Sequence, residues 1–480
     1  MNVIVSGFHD QEIFRIVTNL AKSVPFSYAA VIYQNTQHNL DIKSDYFDWE
    51  NIVWSANYPV DWDNLLPLDE ELISKMAECE TMVLKMMDRF ETRKAYTYQE
   101  RKDLYLKHLR FWNDLIVKKK INLFLASNIP HEVFDYVIYS LCKQKGIQSI
   151  FMYQSHIPDT VIVMNDWEKS SETLGDSYPQ LLKSMNKSGS KEIELPTNFE
   201  NYFKKHTSEK EDVTPFYMKK KSAGDSLSAL FQSFSNRIND DFLNNVQVIR
   251  NVFRSLVLIV PEKKLFSFYE KNCQPFDKNN KYIYLPLHYQ PELTTCPCAG
   301  AFVDQLVMAE LLASCLPEGY FLYVKEHPKQ KILGRSYRFY KALLSTKKIR
   351  LISRKTDSKT LITHSAAVAT CIGTAGWEAL FKGKQVVMFG HDFYQYAPGV
   401  FSIRTEEDCK KAIENIVQKK ELPTNFKLKV FLMALSQVSI NGYIDTAYKQ
   451  ITSLSEEENL HHVTDFLLKF IRSKGKIAHD

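Results

Sequence analysis

The chain has 480 residues, 45% of them hydrophobic and 24% charged, and a formal net charge of +5. At roughly 100–200 residues per domain, that length excludes one ordinary core and implies two or three domains, and the composition excludes a disordered chain. A charge that small over so long a chain gives no footing for nucleic-acid binding, so no nucleic-acid partner is expected.

The stretch from Met1 to Gly7 has no basic segment and too short an apolar run for a signal peptide, and no apolar stretch reaches the ~18 residues that span a bilayer. A cytoplasmic protein is expected. Val3–Gly7 reads as a strand, Gln11–Lys22 as a helix and Ser27–Tyr33 as a strand. Two long helical patterns follow, Glu70–Phe90 and Tyr98–Lys118, the second ending in the basic run Lys118-Lys119-Lys120. Ile121–Ala126 is an apolar strand. Ser127 and Asn128 are good cap residues, Pro130 suits a first helical turn, and Phe134, Val137, Ile138 and Leu141 share one helical face that Gly146 ends. With Ser149–Tyr153 as the next strand, strand–helix–strand with short loops implies a parallel sheet.

From Asn165 to Lys221 the chain turns rich in Ser, Lys, Glu and Asn, with Ser188-Gly189-Ser190 near the middle and a second basic run, Lys219-Lys220-Lys221. This stretch reads as a linker, an insertion or a mobile loop. Helical patterns resume over Asp225–Asn272, where Ser255–Val260 is the strongest apolar run.

A second α/β series begins at Lys281. Its strands are Tyr282–Leu287, Phe321–Val324, Ile349–Ile352, Ala366–Ile372 and Gln385–Phe389. Its helices are a stripe from Phe302 to Leu316, Ser336–Leu344, Thr374–Lys382 and Thr405–Gln418, and everything from Lys427 onward looks helical. The expected division is 1–164, a Rossmann-like domain; 165–275, linker and connecting helices; 276–425, a second Rossmann-like domain; and 426–480, C-terminal helices. Neither half contains G-x-G-x-x-G, which excludes an ordinary dinucleotide dehydrogenase. The eight cysteines offer C-x-C at Cys296 and Cys298 but no C-x-x-C pair, so no zinc site is expected, and without an export signal no disulfides are expected.

Open parallel sheets bind ligands beyond the carboxyl ends of their strands. Four polar clusters stand there in the second half. Lys325-Glu326-His327-Pro328 joins two phosphate-binding residue types, Lys325 and His327, to a carboxylate suited to sugar hydroxyls. Gly373-Thr374-Ala375-Gly376-Trp377-Glu378 opens a helix: small residues allow close approach, the helix N-terminus favours phosphate, and Glu378 lies one turn inside, within reach of a ribose or sugar hydroxyl. His288-Tyr289-Gln290-Pro291-Glu292, with Thr294-Thr295 nearby, forms the third, and Tyr394 with Tyr396 could wall the same pocket.

The order Leu285-Pro286-Leu287-His288-Tyr289-Gln290-Pro291-Glu292, Asp304-Gln305, Val324-Lys325-Glu326-His327-Pro328 and Gly373-Thr374-Ala375-Gly376-Trp377-Glu378-Ala379 resembles bacterial capsule polysaccharide biosynthesis proteins. Its His-Pro element is similar to that of bacterial sialyltransferases and of the glycerophosphotransferases that build teichoic acid. The resemblance implies a GT-B-like α/β fold, two Rossmann-like domains facing a cleft with a helical C-terminal segment. It implies a glycosyltransferase of surface polysaccharide, capsule or lipopolysaccharide, with a nucleotide-sugar donor that is CMP-linked and Kdo-like. It also implies metal-independent transfer with no cofactor, Lys325 and His327 stabilising the leaving phosphate in place of a metal. His327 and Thr374 would contact the donor phosphate, and Glu326 and Gln290 would be further donor contacts. The acceptor would be a glycan or lipid-linked glycan. The lysine runs would add peripheral contact with an anionic membrane at the inner face of the cytoplasmic membrane, worth ~1 kcal/mol per charge.

Inversion at the sugar carbon needs a general base, which this fold would supply from the N-terminal domain. Asp10, beside His9 after the first strand, is the first choice and His131, with Glu132 and Asp135, the second; Gln154 and His156 also face the cleft. Asp61-Trp62-Asp63 spells D-x-D but follows no strong strand and is read as chance. The competing readings are a CDP-polyol phosphotransferase of teichoic-acid type, a non-catalytic nucleotide- or glycan-binding subunit of a capsule assembly complex, and a sugar epimerase.

Overall fold

The structure, a computed structural model, describes residues 1–92, 95–188, 192–208 and 260–475. The N-terminal sheet holds β1 (Asn2–Ser6), β2 (Tyr28–Tyr33), β3 (Ser44–Asp48), β4 (Leu123–Ala126), β5 (Gln148–Gln154) and β6 (Val161–Met164) in the order β3-β2-β1-β4-β5-β6. All neighbours are parallel except β5 and β6. The second sheet holds β7 (Lys281–Pro286), β8 (Tyr320–Lys325), β9 (Ile349–Ile352), β10 (Ala367–Thr370), β11 (Gln385–Met388) and β12 (Val400–Ser402) in the order β12-β11-β10-β7-β8-β9, all parallel. Each sheet runs outward in both directions from its first strand, the doubly wound Rossmann arrangement. The molecule is therefore an α/β protein of GT-B type, with two Rossmann-like domains.

Alternation builds both layers. On β1, Val3 and Val5 pack under the helices Gln11–Ser23 and Glu456–Gly475, while Ile4 faces the helices Tyr98–Lys118 and Phe134–Gln144. On β7, Ile283 and Leu285 face the helix Gln305–Cys315, whereas Tyr282 and Tyr284 join Trp377 in a core that continues beyond this domain to Phe431. Strands buried on both faces must be apolar throughout, which is why they read so clearly in the sequence.

The C-terminal segment returns to the first domain. The helix Asn425–Val438 packs on the helix Glu172–Ser188, Ile440 bridges to Val161, and the helix Glu456–Gly475 lies along Gln11–Ser23. The Tyr443 hydroxyl donates to Glu12, and Asp159 accepts from Ser453.

Three expectations are corrected. The presumed linker after Asn165 is structured where it is described: it forms the helices Glu172–Ser188 and Thr197–Thr207. The single helix expected over Glu70–Phe90 breaks at Met76, whose carbonyl accepts from Tyr105, and ends in a 3-10 turn from Met87; fully buried side chains begin at Met76. Ser127 and Asn128 do not cap a helix, because the helix after β4 starts only at Phe134. Gly189, Ser190, Lys219–Lys221, 225–259 of the helical pattern and most of Ser255–Val260 lie outside the described residues. No helix of the described residues is long and apolar enough to cross a membrane.

Candidate functional site

The N-terminal domain contributes one wall of a cleft of about 490 Å³. In its sheet the winding direction switches between β1 and β4, the place where such sheets open a crevice. Gly7 leaves β1 at φ +85°, and a side chain there would stand 2.3 Å from the Ser127 hydroxyl, so the loops after β1 and β4 close together only around glycine. Those loops, with the one after β5, carry His9, Asp10, Asn128, His131, Gln154 and His156 to the cleft.

Asp10 is exposed and caps the helix Gln11–Ser23 by accepting from the Glu12 amide at 2.9 Å; its other oxygen has no hydrogen-bond partner among the described residues. His131 is tied in. Its Nδ1 donates to Ile129 O at 2.6 Å, its Nε2 lies 3.2 Å from Glu132, and its own carbonyl accepts from Arg89. Burial opposes the imidazolium, but the Glu132 hydrogen bond and charge outweigh it, and the His131 pKa is raised. His9 and His156 go the other way: burial lowers both, His156 to about 4. Val133 follows at φ +67° and ψ −71°, with the Phe134 amide on Glu132 O at 2.8 Å, a γ-turn that is strained for a β-branched residue. Asp135 holds the turn by accepting from the His131 and Glu132 amides, and burial pushes its carboxyl up to about 6.

In the second domain the corresponding switch lies between β7 and β10. His288 sits there as a structural imidazole: its Nε2 accepts from the Cys371 amide at 3.0 Å and meets the Thr370 hydroxyl at 2.9 Å, and burial lowers its pKa to about 3. Gly373 is packed against it; a Cβ would stand 2.5 Å from the His288 ring. Thr374 and Glu378 are half-buried on the short helix Thr374–Leu380, two residues shorter than expected. Burial raises the Glu378 carboxyl to about 7. Tyr394 does not wall the pocket; it is buried and supports the loop by donating to Gly373 O at 2.8 Å.

Three residues expected to meet the donor are occupied elsewhere. Glu326 is fully buried and accepts from Arg335 Nε and Tyr340, each at 2.7 Å, and from the His327 amide. Gln290 belongs to the same network, accepting from Gln305 at 3.1 Å and Arg335 at 3.2 Å and donating to Val303 O. Lys325 spends its ammonium on Thr356 O at 2.6 Å and the Ser358 hydroxyl at 2.8 Å, tying β8 to the helix Ser358–His364. His327 differs from them. It is half-buried, its Nδ1 accepts from the Lys329 amide at 3.2 Å, and burial lowers its pKa to about 4. In that neutral ring the proton sits on Nε2, which is left as a donor with no protein partner among the described residues.

The structure thus brings Asp10 and His131 to one cleft, together with Glu292, Leu293 and Thr294 from the loop after β7. His327, Thr374 and Glu378 stand at strand ends of the second sheet and are not among that cleft's lining residues. Sequence reasoning missed Arg335, the hub of the buried network, and Arg89, which donates both to His131 O and to Cys296 O of the second domain. It also missed Asp445, Thr446 and Tyr448, which the returning C-terminal segment adds to the cleft. No local motif announces any of these. Asp61 is an exposed cap of a short 3-10 turn, and no three His, Cys, Asp or Glu side chains gather to hold a metal among the described residues. Lys118 pairs with Asp114 and Lys119 with Asp45, so two lysines of that basic run are engaged.

Residues 185–440 match the family model described as "Capsule polysaccharide biosynthesis protein". No curated protein matches. Among solved structures, the chain is similar to Thermosulfurimonas dismutans KpsC, a beta Kdo 2,7 transferase, at 10% identity and TM-score 0.34, covering 97% of this chain and 99% of that one. It is similar to UDP-GlcNAc 2-epimerase from Methanocaldococcus jannaschii at 11% identity and TM-score 0.27, covering 91% and 98%. A glycosyltransferase from Rickettsia africae ESF-5 aligns at 11% identity and TM-score 0.27, covering 95% and 99%.

Proposed function

The chain belongs to the capsule polysaccharide biosynthesis protein family, and from that membership we propose that it is a glycosyltransferase moving a sugar from a CMP-linked, Kdo-like donor to a glycan acceptor held in the cleft. The observation that carries the reading is the pairing of two Rossmann-type sheets, the first with its switch point open on a cleft that a loop of the second also lines. Such a pairing suits a two-substrate transfer, with one substrate on each domain.

In this reading Asp10 removes the proton of the acceptor hydroxyl, since one of its oxygens is fixed by the helix cap and the other is open. His131 is the second candidate: its Nδ1 is held by Ile129 O and its Nε2 faces Glu132 at 3.2 Å, so neither ring nitrogen is open to take the acceptor's proton. On the donor side, His327 Nε2 and the Thr374 hydroxyl donate to the phosphate that leaves with the nucleotide, and Glu378 accepts from a sugar or ribose hydroxyl. Gly373 keeps the loop low enough for that approach. Metal-independent transfer is part of the proposal. So is contact with an anionic membrane, supported by Lys120, which makes no ion pair among the described residues.

Thermal-shift titration with CMP, CDP, UDP, UMP and GDP, on wild type and His327→Ala, tests it, because a ligand that binds the native state raises the melting temperature. A CMP shift that disappears in the variant is the expected result, unchanged in EDTA. A CDP shift would point to polyol-phosphate transfer, and a UDP or GDP shift would overturn the cytidine assignment. No shift with any nucleotide would favour a binding subunit. Flotation with anionic vesicles at low salt tests the membrane contact, which fails if the protein stays in the soluble fraction.

A further inference from the structure

Past the ends of β7 and β8, side chains take over from backbone pairing. The last ladder bond runs from the Leu287 amide to Lys325 O at 2.8 Å. Beyond it the Gln330 side chain stands in for a neighbouring strand: its Oε1 accepts from the Gln290 amide at 2.9 Å and its Nε2 donates to Gln290 O at 3.0 Å. Gln305 grips His288 in the same two-point way, accepting from its amide at 2.7 Å and donating to its carbonyl at 3.2 Å. Arg335 ties the two loops again, donating from Nη2 to His288 O at 2.9 Å and from Nε to Glu326, whose other oxygen accepts from the His327 amide. Gln290, Gln305, Gln330, Arg335 and Glu326 are all buried. A Cβ on Gly334 would stand 2.2 Å from Gln290 O and 2.4 Å from Gln330 Nε2, so the fit leaves no room for a methyl group.

Opening either loop would strip buried partners from the other and leave polar groups unpaired, so the two loops form one cooperative unit. Its two ends face different substrates. At one end stands His327, whose Nε2 has no hydrogen-bond partner among the described residues. At the other, directly after Gln290 and Pro291, Glu292, Leu293 and Thr294 line the cleft, in a turn held by the Thr295 and Cys296 amides on Glu292 O at 3.0 and 2.8 Å. Resting on the glycosyltransferase reading, we propose that Gln330 is a positioning residue that joins the two substrate sites: a donor phosphate on His327 fixes, through Gln330, the wall that Glu292–Thr294 gives to the acceptor cleft.

Amide hydrogen exchange of the purified full chain tests this, with and without CMP, or whichever of CDP, UDP, UMP and GDP gives the larger thermal shift. A ligand that binds only the closed unit slows every amide in it by the same factor, about 100-fold at a hundred times its Kd. In wild type that factor should appear both at 327–331 and at 292–298. In Gln330→Ala, at a hundred times the variant's own Kd, it should persist at 327–331 and fall below about threefold at 292–298. A residue that only stabilised the fold would lower both stretches together. Gly334→Ala, which removes no hydrogen-bonding group, should give the same split, and the wild-type comparison stands by itself if neither variant folds. Protection at 327–331 alone in wild type overturns the inference and leaves the glycosyltransferase reading in place. Equal protection of both stretches in both variants overturns it too. Protection of neither stretch by any of the five nucleotides sinks the glycosyltransferase reading, and this inference with it.

Discussion

Glu326 and His327 are adjacent, yet Glu326 gives its carboxylate to Arg335, Tyr340 and a backbone amide while His327 Nε2 has no hydrogen-bond partner among the described residues. Glu326→Gln should therefore act on stability: a buried guanidinium left without its counter-ion costs about 3–5 kcal/mol, measurable by urea denaturation. Asp392 offers a pH signature. An aspartate in the unfolded chain ionises near ~4, but burial, partly offset by the Phe393 amide, pushes this one up to about 8. Between those values the folded protein holds the extra proton, so stability falls as pH rises from about 4 to 8, by about 1.4 kcal/mol per unit at most. Asp392→Asn should remove that slope and gain on wild type steadily between about pH 5 and pH 8; parallel denaturation curves for the two proteins would refute this. The sequence showed that Lys325, Glu326 and His327 stand at a strand end. Which of them would be consumed internally depended on Arg335, Tyr340 and Ser358, and nothing local marks those as partners.

The elements were legible where burial is two-sided or a cap is strong. β9 and the helix Tyr98–Lys118 stand where periodicity places them, the helix with a capping box at Thr97 and Glu100. The edge strand β3 was not legible, because Ser44, Asp45 and Asp48 make it polar. Nor was the helix Glu172–Ser188, whose apolar positions Leu174, Tyr178, Leu181, Leu182 and Met185 do follow helical spacing but are interrupted by Gly175 and Pro179. The short helix at Thr374 carries its own prediction. Gly373→Ala puts a methyl 2.5 Å from the His288 ring, and overpacking of this kind costs about 1–3 kcal/mol. Because the displaced loop holds Thr374, nucleotide affinity should drop further than the melting temperature alone would suggest. A variant with full affinity and unchanged melting temperature would show that the contact is not tight.

At the scale of the whole molecule, Arg89 joins the strained turn at His131–Val133 to the Cys296 loop of the second domain, and Lys85 reaches Asp304 at 3.4 Å nearby. Hydrogen bonds to a charged donor are worth about 1.5–3 kcal/mol each. Arg89→Met should let the domains part, seen as a larger radius of gyration in X-ray scattering and as amide exchange at least about tenfold faster around 129–135 and 292–298. Unchanged exchange in both loops would mean the domains are held elsewhere. The return of the C-terminal segment to the first domain bears on how the protein is made in the cell. Ribosomal synthesis delivers Gly7, His9 and Asp10 early and Asp445, Thr446 and Tyr448 more than four hundred residues later, yet all of them border the same cleft. The first domain can begin to fold while the rest is being translated, but its cleft is incomplete until the returning segment emerges. A nascent chain stalled before Ile440 would carry Asp10 and His131 without the part of the cleft wall that Ile444, Asp445, Thr446 and Tyr448 supply.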